Sequence, residues 1–439
     1  MDYVGKRVLV VGMKASGISV ATLLRRSGAE VVCYDDAIKE LTGFTFVDDI
    51  TDEVMKKTDL VVVSPSIPPQ NKAIIKAKRF GVPVKGEMEI GCSFLRCPMI
   101  MVTGTNGKTT VVTMIEKLLG YAGIKTKAMG NVGYPVSQVI LDGTELDYAV
   151  IEVSSFQLEY ASVKPFISVI LNLAPDHMDR YDSYEEYVAT KRKICMCQTG
   201  SDYLLYNKDD GAARKFVTYT NACPIPIGTS GKNSAVYIKD NFYWVDDKPI
   251  CSVKTCKLRG EHNKFNMLVA LNVGKIVGAR SKHFLHLIKE YTLLPNRIEY
   301  ITSLGGKRYY NDSKGTNIHA CKYAIAGIEG TIGLIMGGSD KGEDFCELFE
   351  TIDPKVKYVA VSGGNAEKIY NSAMKMGYTS ICILPTMEDA VQFLSERKDV
   401  ENVLLSPCSA SFDRYKNYAE RGEKFKEAVY AIKNTDTEE

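Results

Sequence analysis

The sequence predicts an α/β protein of three units, each built on parallel strands. Three observations carry this expectation. The stretch 98–110 reads as buried strand, glycine turn and helix; the stretch 7–35 repeats that order around its own glycine turn; and beyond residue 297 five short apolar runs alternate with helical segments. A length of 439 residues is that of about three domains.

In the first unit, Arg7-Val-Leu-Val-Val-Gly12 is a strand entering the turn Gly12-Met-Lys14-Ala-Ser16-Gly17. A helix to about Gly28 and a strand Val31–Tyr34 ending at Asp35 follow, a Rossmann-like opening with an acid at the ribose-binding place. Lys14 replaces the fingerprint's middle glycine, which weakens a dinucleotide reading but leaves a nucleotide-like ligand at this sheet edge. Ser64 and Asp35 suit turn capping and ligand contact about equally.

The second unit begins near Cys92. An apolar strand, Met99–Val102, leads into Gly104-Thr105-Asn106-Gly107-Lys108-Thr109-Thr110 and a helix to Ala122. Glycines let backbone N–H groups converge on phosphate oxygens, and the helix N-terminus adds its positive end. Lys108 neutralises β/γ charge and Thr109 can hold Mg²⁺. The general pattern would place a glycine at 102, where Val102 stands, so the loop is a shortened variant; it is expected to bind a nucleoside triphosphate. Strand Asp147–Ile151 delivers Glu152 beside this loop, well placed for Mg²⁺. Strand Ile167–Leu173 leads to Asp176-His177-Met-Asp179, where His177 is a ligand candidate. Ser183–Ile194 reads as a helix whose Lys191-Arg-Lys193 run is, from spacing alone, a solvated face. From Asp202 to Leu258 short β segments alternate, and Gly260 to Asn266 opens another helix.

Leu294-Pro-Asn-Arg297 breaks the helical run and reads as a hinge. The third unit has strands near Tyr309–Tyr310, Ile332–Met336, Tyr358–Val361, Ile381–Leu384 and Val403–Leu405. Their ends carry small or polar groups, the mark of a small-molecule site in an open parallel sheet.

Lys and Arg number 55 against 53 Asp and Glu, so neither nucleic acid nor an anionic membrane is favoured as partner. No apolar run reaches the roughly 18 residues of a spanning helix, and nothing marks secretion. The twelve cysteines are scattered without paired zinc spacing, as free thiols in a reducing cytoplasm would be.

Taken together, the blocks resemble the Mur ligase family, ATP-dependent amide-bond formers of peptidoglycan precursor synthesis. The blocks are Gly104-Thr-Asn-Gly-Lys-Thr-Thr110, Gly130-Asn131-Val-Gly133, Glu152-Val-Ser-Ser-Phe-Gln157, Asp176-His-Met-Asp179, Tyr187-x-x-x-Lys191, His262-Asn263-x-x-Asn266, Pro295-x-Arg297 and Asn311-Asp-Ser-Lys314. Glu152 to Glu159, His177 to Tyr181, Asn311 to Thr316 and Leu405-Ser-Pro-x-x-Ala-Ser411 are most similar to the members that add D-glutamate. The resemblance implies a UDP-substrate domain at 1–91, a central ATP-binding P-loop domain with a small β subregion at 92–296, and an amino-acid-binding Rossmann-like domain at 297–439. It implies that ATP phosphorylates the carboxylate of UDP-N-acetylmuramoyl-L-alanine and that D-glutamate's amine attacks the acyl phosphate.

By resemblance, Thr109 and Glu152 serve one Mg²⁺, and His177 and a carbamylated Lys191 a second, with Lys108, His177 and Lys191 catalytic. Asn266, Arg297 and Asp312 join the phosphate loop in binding ATP. Asn131, Ser154 and His177 line the acceptor's path; Ser16, Gly17 and Asp35 meet UDP; Lys314, Thr316, Lys341, Ser411, Phe412 and Tyr418 form the D-glutamate pocket. A cytoplasmic monomer is expected. Two alternatives stand beside this reading: another Mur-type or folylpolyglutamate-type ligase with a different amino acid, and a nicotinamide-dependent oxidoreductase.

Overall fold

The computed structural model describes residues 3–131, 134–178, 180–258, 260–292, 294–340 and 342–435. Two compact units emerge. One gathers Met1–Leu173, Ser183–Thr255 and Phe265–Lys289; the other gathers Ala174–Asp182, Cys256–Lys264 and Glu290–Glu439.

The first unit contains three sheets. β1 (Arg7–Val11), β2 (Glu30–Tyr34), β3 (Thr45–Phe46), β4 (Leu60–Val63) and β5 (Val84–Gly86) pair in parallel in the order β3-β2-β1-β4-β5. The runs Val8–Val11 and Leu60–Val63 are buried at every residue, as strands covered on both faces must be. The chain reverses direction across the sheet between β1 and β4, which opens a crevice at their carboxyl ends.

β6 (Met99–Thr103), β7 (Thr126–Gly130), β8 (Tyr148–Glu152), β9 (Ile167–Ile170), β10 (Tyr203–Asn207) and β11 (Cys223–Ile227) form the second parallel sheet, ordered β11-β10-β9-β6-β8-β7. The helix Lys108–Tyr121 lays Val111, Val112, Met114, Ile115, Leu118 and Leu119 into the core. β12 (Val236–Lys239), β13 (Phe242–Val245) and β14 (Lys248–Ser252) are an antiparallel meander. Its two turns, Asp240-Asn241 and Asp246-Asp247, have all four residues at positive φ, the backbone that two-residue hairpins require.

The second unit holds β15 (Glu299–Leu304), β16 (Lys307–Asn311), β17 (Ile332–Met336), β18 (Val356–Val361), β19 (Ile381–Ile383) and β20 (Asn402–Leu405), ordered β15-β16-β20-β17-β18-β19. Only β15 runs antiparallel to its neighbour.

Two sequence expectations need correction. Residues 202–227 are not part of a small β subregion: β10 and β11 extend the main parallel sheet, with helical turns at Gly211–Tyr219 between them. The strand expected to reach Leu173 stops at Ile170, because Leu171 and Asn172 turn under the phosphate loop.

Candidate active site

The phosphate loop joins β6 to the helix Lys108–Tyr121. Gly104 (φ 150°) and Gly107 (φ 86°) take backbone conformations closed to other residues. Space forbids side chains there as well. A Cβ on Gly104 would come 2.9 Å from Leu171 Cβ, and one on Gly107 2.8 Å from Asn266 Oδ1. Asn266, 5% exposed, thus lies against the loop. Lys108 Nζ curls over the loop and donates to Gly104 O and Thr105 O, both at 2.8 Å. Thr109 and Thr110 are buried at the helix start.

Asn172 was not singled out from sequence, yet it braces this loop. Its Oδ1 accepts from Asn106 N–H at 2.8 Å and its Nδ2 donates to Asn106 O at 2.9 Å. Its backbone carbonyl takes Thr105 N–H. The available signal was a polar residue ending a buried strand beside a glycine turn.

Glu152 stands on β8, paired in register with Val102 of β6, two residues before the loop. It is 2% exposed. Oε1 accepts from Asn131 Nδ2 at 2.8 Å, and Asn131 N–H is also held by Glu152 O. Oε2 is buried without a hydrogen-bond partner among the described residues. A buried carboxylate oxygen left open is costly and suits a cation. No three His, Cys, Asp or Glu side chains cluster among the described residues. One open carboxylate oxygen beside a phosphate loop fits Mg²⁺, which takes one or two carboxylates and draws its other oxygens from phosphate and water.

Lys191 is not on a solvated face. It is 2% exposed on the helix Tyr184–Arg192, donates to Gly104 O at 3.0 Å, and lies 4.8 Å from the Tyr187 ring centroid. Tyr187 OH is 3.0 Å from Thr105 Oγ1, so both residues of this helix face bear on the loop. His177 belongs to the other compact unit. It sits at φ 59°, its N–H bonded to Asp176 Oδ1 and its Nε2 3.7 Å from Asp176 Oδ2. Asn317 Nδ2 donates to the same Oδ2. Asp179 lies outside the described residues.

At the crevice of the first sheet, Gly17 is obligatory, since a Cβ there would lie 1.8 Å from Gly12 O. Ser64 Oγ donates to Gly12 O at 2.7 Å. Asp35 Oδ2 accepts from Met13 N–H and Oδ1 from Ala37 and Ile38 N–H; these bonds hold its carboxyl below the usual range against a raising effect of burial. Both side chains therefore brace the turn that carries Ser16. Ser154 likewise closes a capping box with Gln157.

In the second unit, Asp312 is buried, accepting from Ser406 Oγ at 2.8 Å. Burial pushes its carboxyl up to about 7, against the bond from Ser406 and the charge of Arg297. The expected hinge carries Asn296 at positive φ, and Ile298 just beyond it does the same; Asn296 Oδ1 accepts from Asn311 Nδ2 at 2.8 Å. Lys314 Nζ lies 4.7 Å from the Tyr418 ring centroid and donates to its hydroxyl at 3.3 Å. Ser411 is buried, Thr316 half-buried and Phe412 74% exposed. Lys341 lies outside the described residues. Sequence reading passed over Arg421, which lies under these loops and donates to Ser313 O, Ser409 O and Ala410 O. Burial brings this guanidinium down to about 10. Asn365, also passed over, ties Gly338 N–H to Ser409 Oγ.

Three family models match successive parts of the chain. The Mur ligase middle domain matches residues 102–274, and the Mur ligase, glutamate ligase domain matches 296–408. Residues 1–90 match the NAD binding domain of D-isomer specific 2-hydroxyacid dehydrogenases. The chain belongs to the Mur ligase family. Among its relatives is the UDP-N-acetylmuramoylalanine–D-glutamate ligase of Caldanaerobacter subterraneus subsp. tengcongensis, 34% identical over 449 residues, covering 99% of this chain and 100% of that one. The enzyme of the same name from Lachnoclostridium phytofermentans is 33% identical over 456 residues, with 99% and 100% covered. The fold is shared with MurF from Acinetobacter baumannii at TM-score 0.64 and 13% identity, covering 97% of this chain and 91% of that one.

Proposed function

We propose that this chain joins the carboxylate of UDP-N-acetylmuramoyl-L-alanine to the amine of D-glutamate, with ATP as the driving substrate. The γ-phosphoryl group passes to the carboxylate oxygen, ADP leaves, the amine attacks the acyl phosphate, and phosphate departs as the amide forms. One observation carries this reading. A phosphate loop stands beside a buried carboxylate whose Oε2 has no hydrogen-bond partner among the described residues.

Two anions must meet in the first step, so their repulsion has to be screened. Lys108 and the helix N-terminus at Gly107 supply fixed positive charge. Thr109 and Glu152 would hold one Mg²⁺, and His177 with a carbamylated Lys191 a second; Mg²⁺ supplies further neutralisation of phosphate charge. Carbamylation turns an ammonium, which has no lone pair to ligate a cation, into an oxygen donor. Asn266, Arg297 and Asp312 bind the rest of ATP, and Asn131, Ser154 and His177 guide the acceptor. Lys314, Thr316, Lys341, Ser411, Phe412 and Tyr418 receive D-glutamate, whose carboxylates suit cationic and hydroxyl groups. We take residues 1–91 as the UDP-substrate domain, 92–296 as the ATP-binding domain and 297–439 as the amino-acid-binding domain. Twelve free cysteines and a nucleotide substrate support a cytoplasmic site of action, and no described helix is long and apolar enough to cross a membrane. We take the enzyme to act as a monomer.

The test is ADP release with the sugar nucleotide, Mg²⁺–ATP and a panel of amino acids. Release dependent on D-glutamate is expected. No release with any amino acid would refute the ligase reading, and release with another amino acid would reassign the specificity. The match over 1–90 favours a second reading, nicotinamide binding. Against it stand Lys14 in the turn and an Asp35 whose two oxygens already take three backbone N–H groups. Titration with NADH and with UDP separates the two.

A further inference from the structure

Beneath the Ser16–Gly17 turn runs a buried polar chain that no step above uses. Ser19 Oγ lies 3.0 Å from Ser16 O and 2.8 Å from Ser137 Oγ. The Ser137 hydroxyl makes a short contact with Glu87 Oε1, which also accepts Ser137 N–H at 3.1 Å. Ser19, Ser137 and Glu87 are 3%, 0% and 1% exposed. They come from three helices of one compact unit: Ala15–Arg26, Val136–Leu141 and Glu87–Phe94. Gly91 permits the approach, since a Cβ there would come 2.9 Å from Ser137 N.

Counting protons decides the state of this chain. Three contacts run in series, from Glu87 to Ser137, Ser137 to Ser19, and Ser19 to Ser16 O, and each needs one proton. A carbonyl oxygen only accepts, and each hydroxyl donates once. Two hydroxyls supply two protons, so making all three hydrogen bonds at once requires the third on the Glu87 carboxyl. If Glu87 were ionised, it would take the Ser137 proton, and Ser19 could then serve Ser137 or Ser16 but not both.

We propose that Glu87 is held as a neutral acid which, through Ser137 and Ser19, positions the Ser16–Gly17 turn for the diphosphate of the uridine nucleotide. Burial works in the same direction, raising the carboxyl's pKa, while the bond from the Ser137 N–H lowers it. The elements packed against the helix Glu87–Phe94 are Ala15–Arg26, Val136–Leu141 and β5. Their titratable side chains, among the described residues, are Arg25 and Arg26 in a far last turn and Lys85, which pairs with Glu89. The acid's own helix adds Glu89 and the Cys92 thiol. Holding the Ser16 carbonyl fixes the first turn of the helix Ala15–Arg26, whose leading N–H groups suit an anion.

The inference rests on the proposed role of the first sheet in holding UDP, and the experiment keeps the two apart. The full chain is titrated with UDP by calorimetry, and KM is measured for each substrate. Glu87→Ala and Ser19→Ala should each weaken UDP binding and raise KM for the sugar nucleotide by about 5- to 30-fold, the worth of one or two lost hydrogen bonds. KM for ATP and kcat should stay within about twofold of the parent. Glu87→Gln, isosteric and uncharged, should keep UDP affinity within about threefold. Its affinity should change with pH only as the UDP phosphate titrates, whereas the parent's should fall relative to it as pH rises through the Glu87 titration. Unchanged UDP binding in Ser19→Ala, or Glu87→Gln as damaging as Glu87→Ala, would overturn the relay. A parent chain that binds no UDP would overturn the substrate assignment instead.

Discussion

Asn172 offers the sharpest test of how the phosphate loop is held. Asn172→Ala deletes two hydrogen bonds to the Asn106 backbone, at 2.8 and 2.9 Å, and leaves the Thr105 N–H bond to the residue-172 carbonyl in place. Each bond is worth about 0.5–1.5 kcal/mol net, so the loop loses about 1–3 kcal/mol of ordering. That corresponds to roughly 5- to 150-fold in the population of its bound form. KM for ATP should rise within that range in the ADP-release assay, while the melting temperature falls by a few degrees at most. Asn172→Asp keeps the acceptor for Asn106 N–H but turns its second oxygen against Asn106 O. It should therefore be at least as damaging at neutral pH and recover as the pH is lowered. A KM for ATP within twofold of the parent in both variants would refute the claim that this side chain orders the loop.

Other expectations follow from the same geometry. Lys191→Ala should be nearly inactive and partly restored by short-chain carboxylic acids; full activity without additive would refute the carbamate role. Asp312 has a folded-state pKa of about 7 against an ordinary 3.8. The folded chain thus binds the extra proton, and its stability contribution is complete below about pH 4 and lost as pH rises through about 7. Asp312→Asn should therefore gain in melting temperature relative to the parent between pH 5 and pH 8, and a pH-independent difference would refute the burial argument. Gly17→Ala should abolish UDP binding while leaving ADP binding intact, because its Cβ would lie 1.8 Å from Gly12 O; near-parental UDP affinity in calorimetry would refute it.

Much of the site was legible in the chain. The phosphate loop and Glu152 were readable because glycine turns, strand ends and helix starts are local features written within a dozen residues. The strands Leu60–Val63 and Ile332–Met336 appear as expected, being short apolar runs without alternation. Other parts were not legible. The Lys191 run has the composition of a solvated face, and only its docking under Gly104 makes it a buried group; the resemblance to a family, not periodicity, pointed there. Ser64 and Asp35 could each have been caps or ligand contacts, and their present bonds are to backbone.

By itself, then, the sequence determined two glycine-turn units and a third α/β unit, the alternation of strands with helices, and the type of ligand the central loop is made for. Tertiary structure decided which distant side chains complete each turn. Asn172 reaches Asn106 across 66 residues, Arg421 reaches Ser313 across 108, and Ser137 reaches Ser19 across 118. The reason is physical. A period or a turn signal specifies backbone shape, whereas the partner of a buried polar group depends on sheet order and helix approach, which neighbouring residues do not encode.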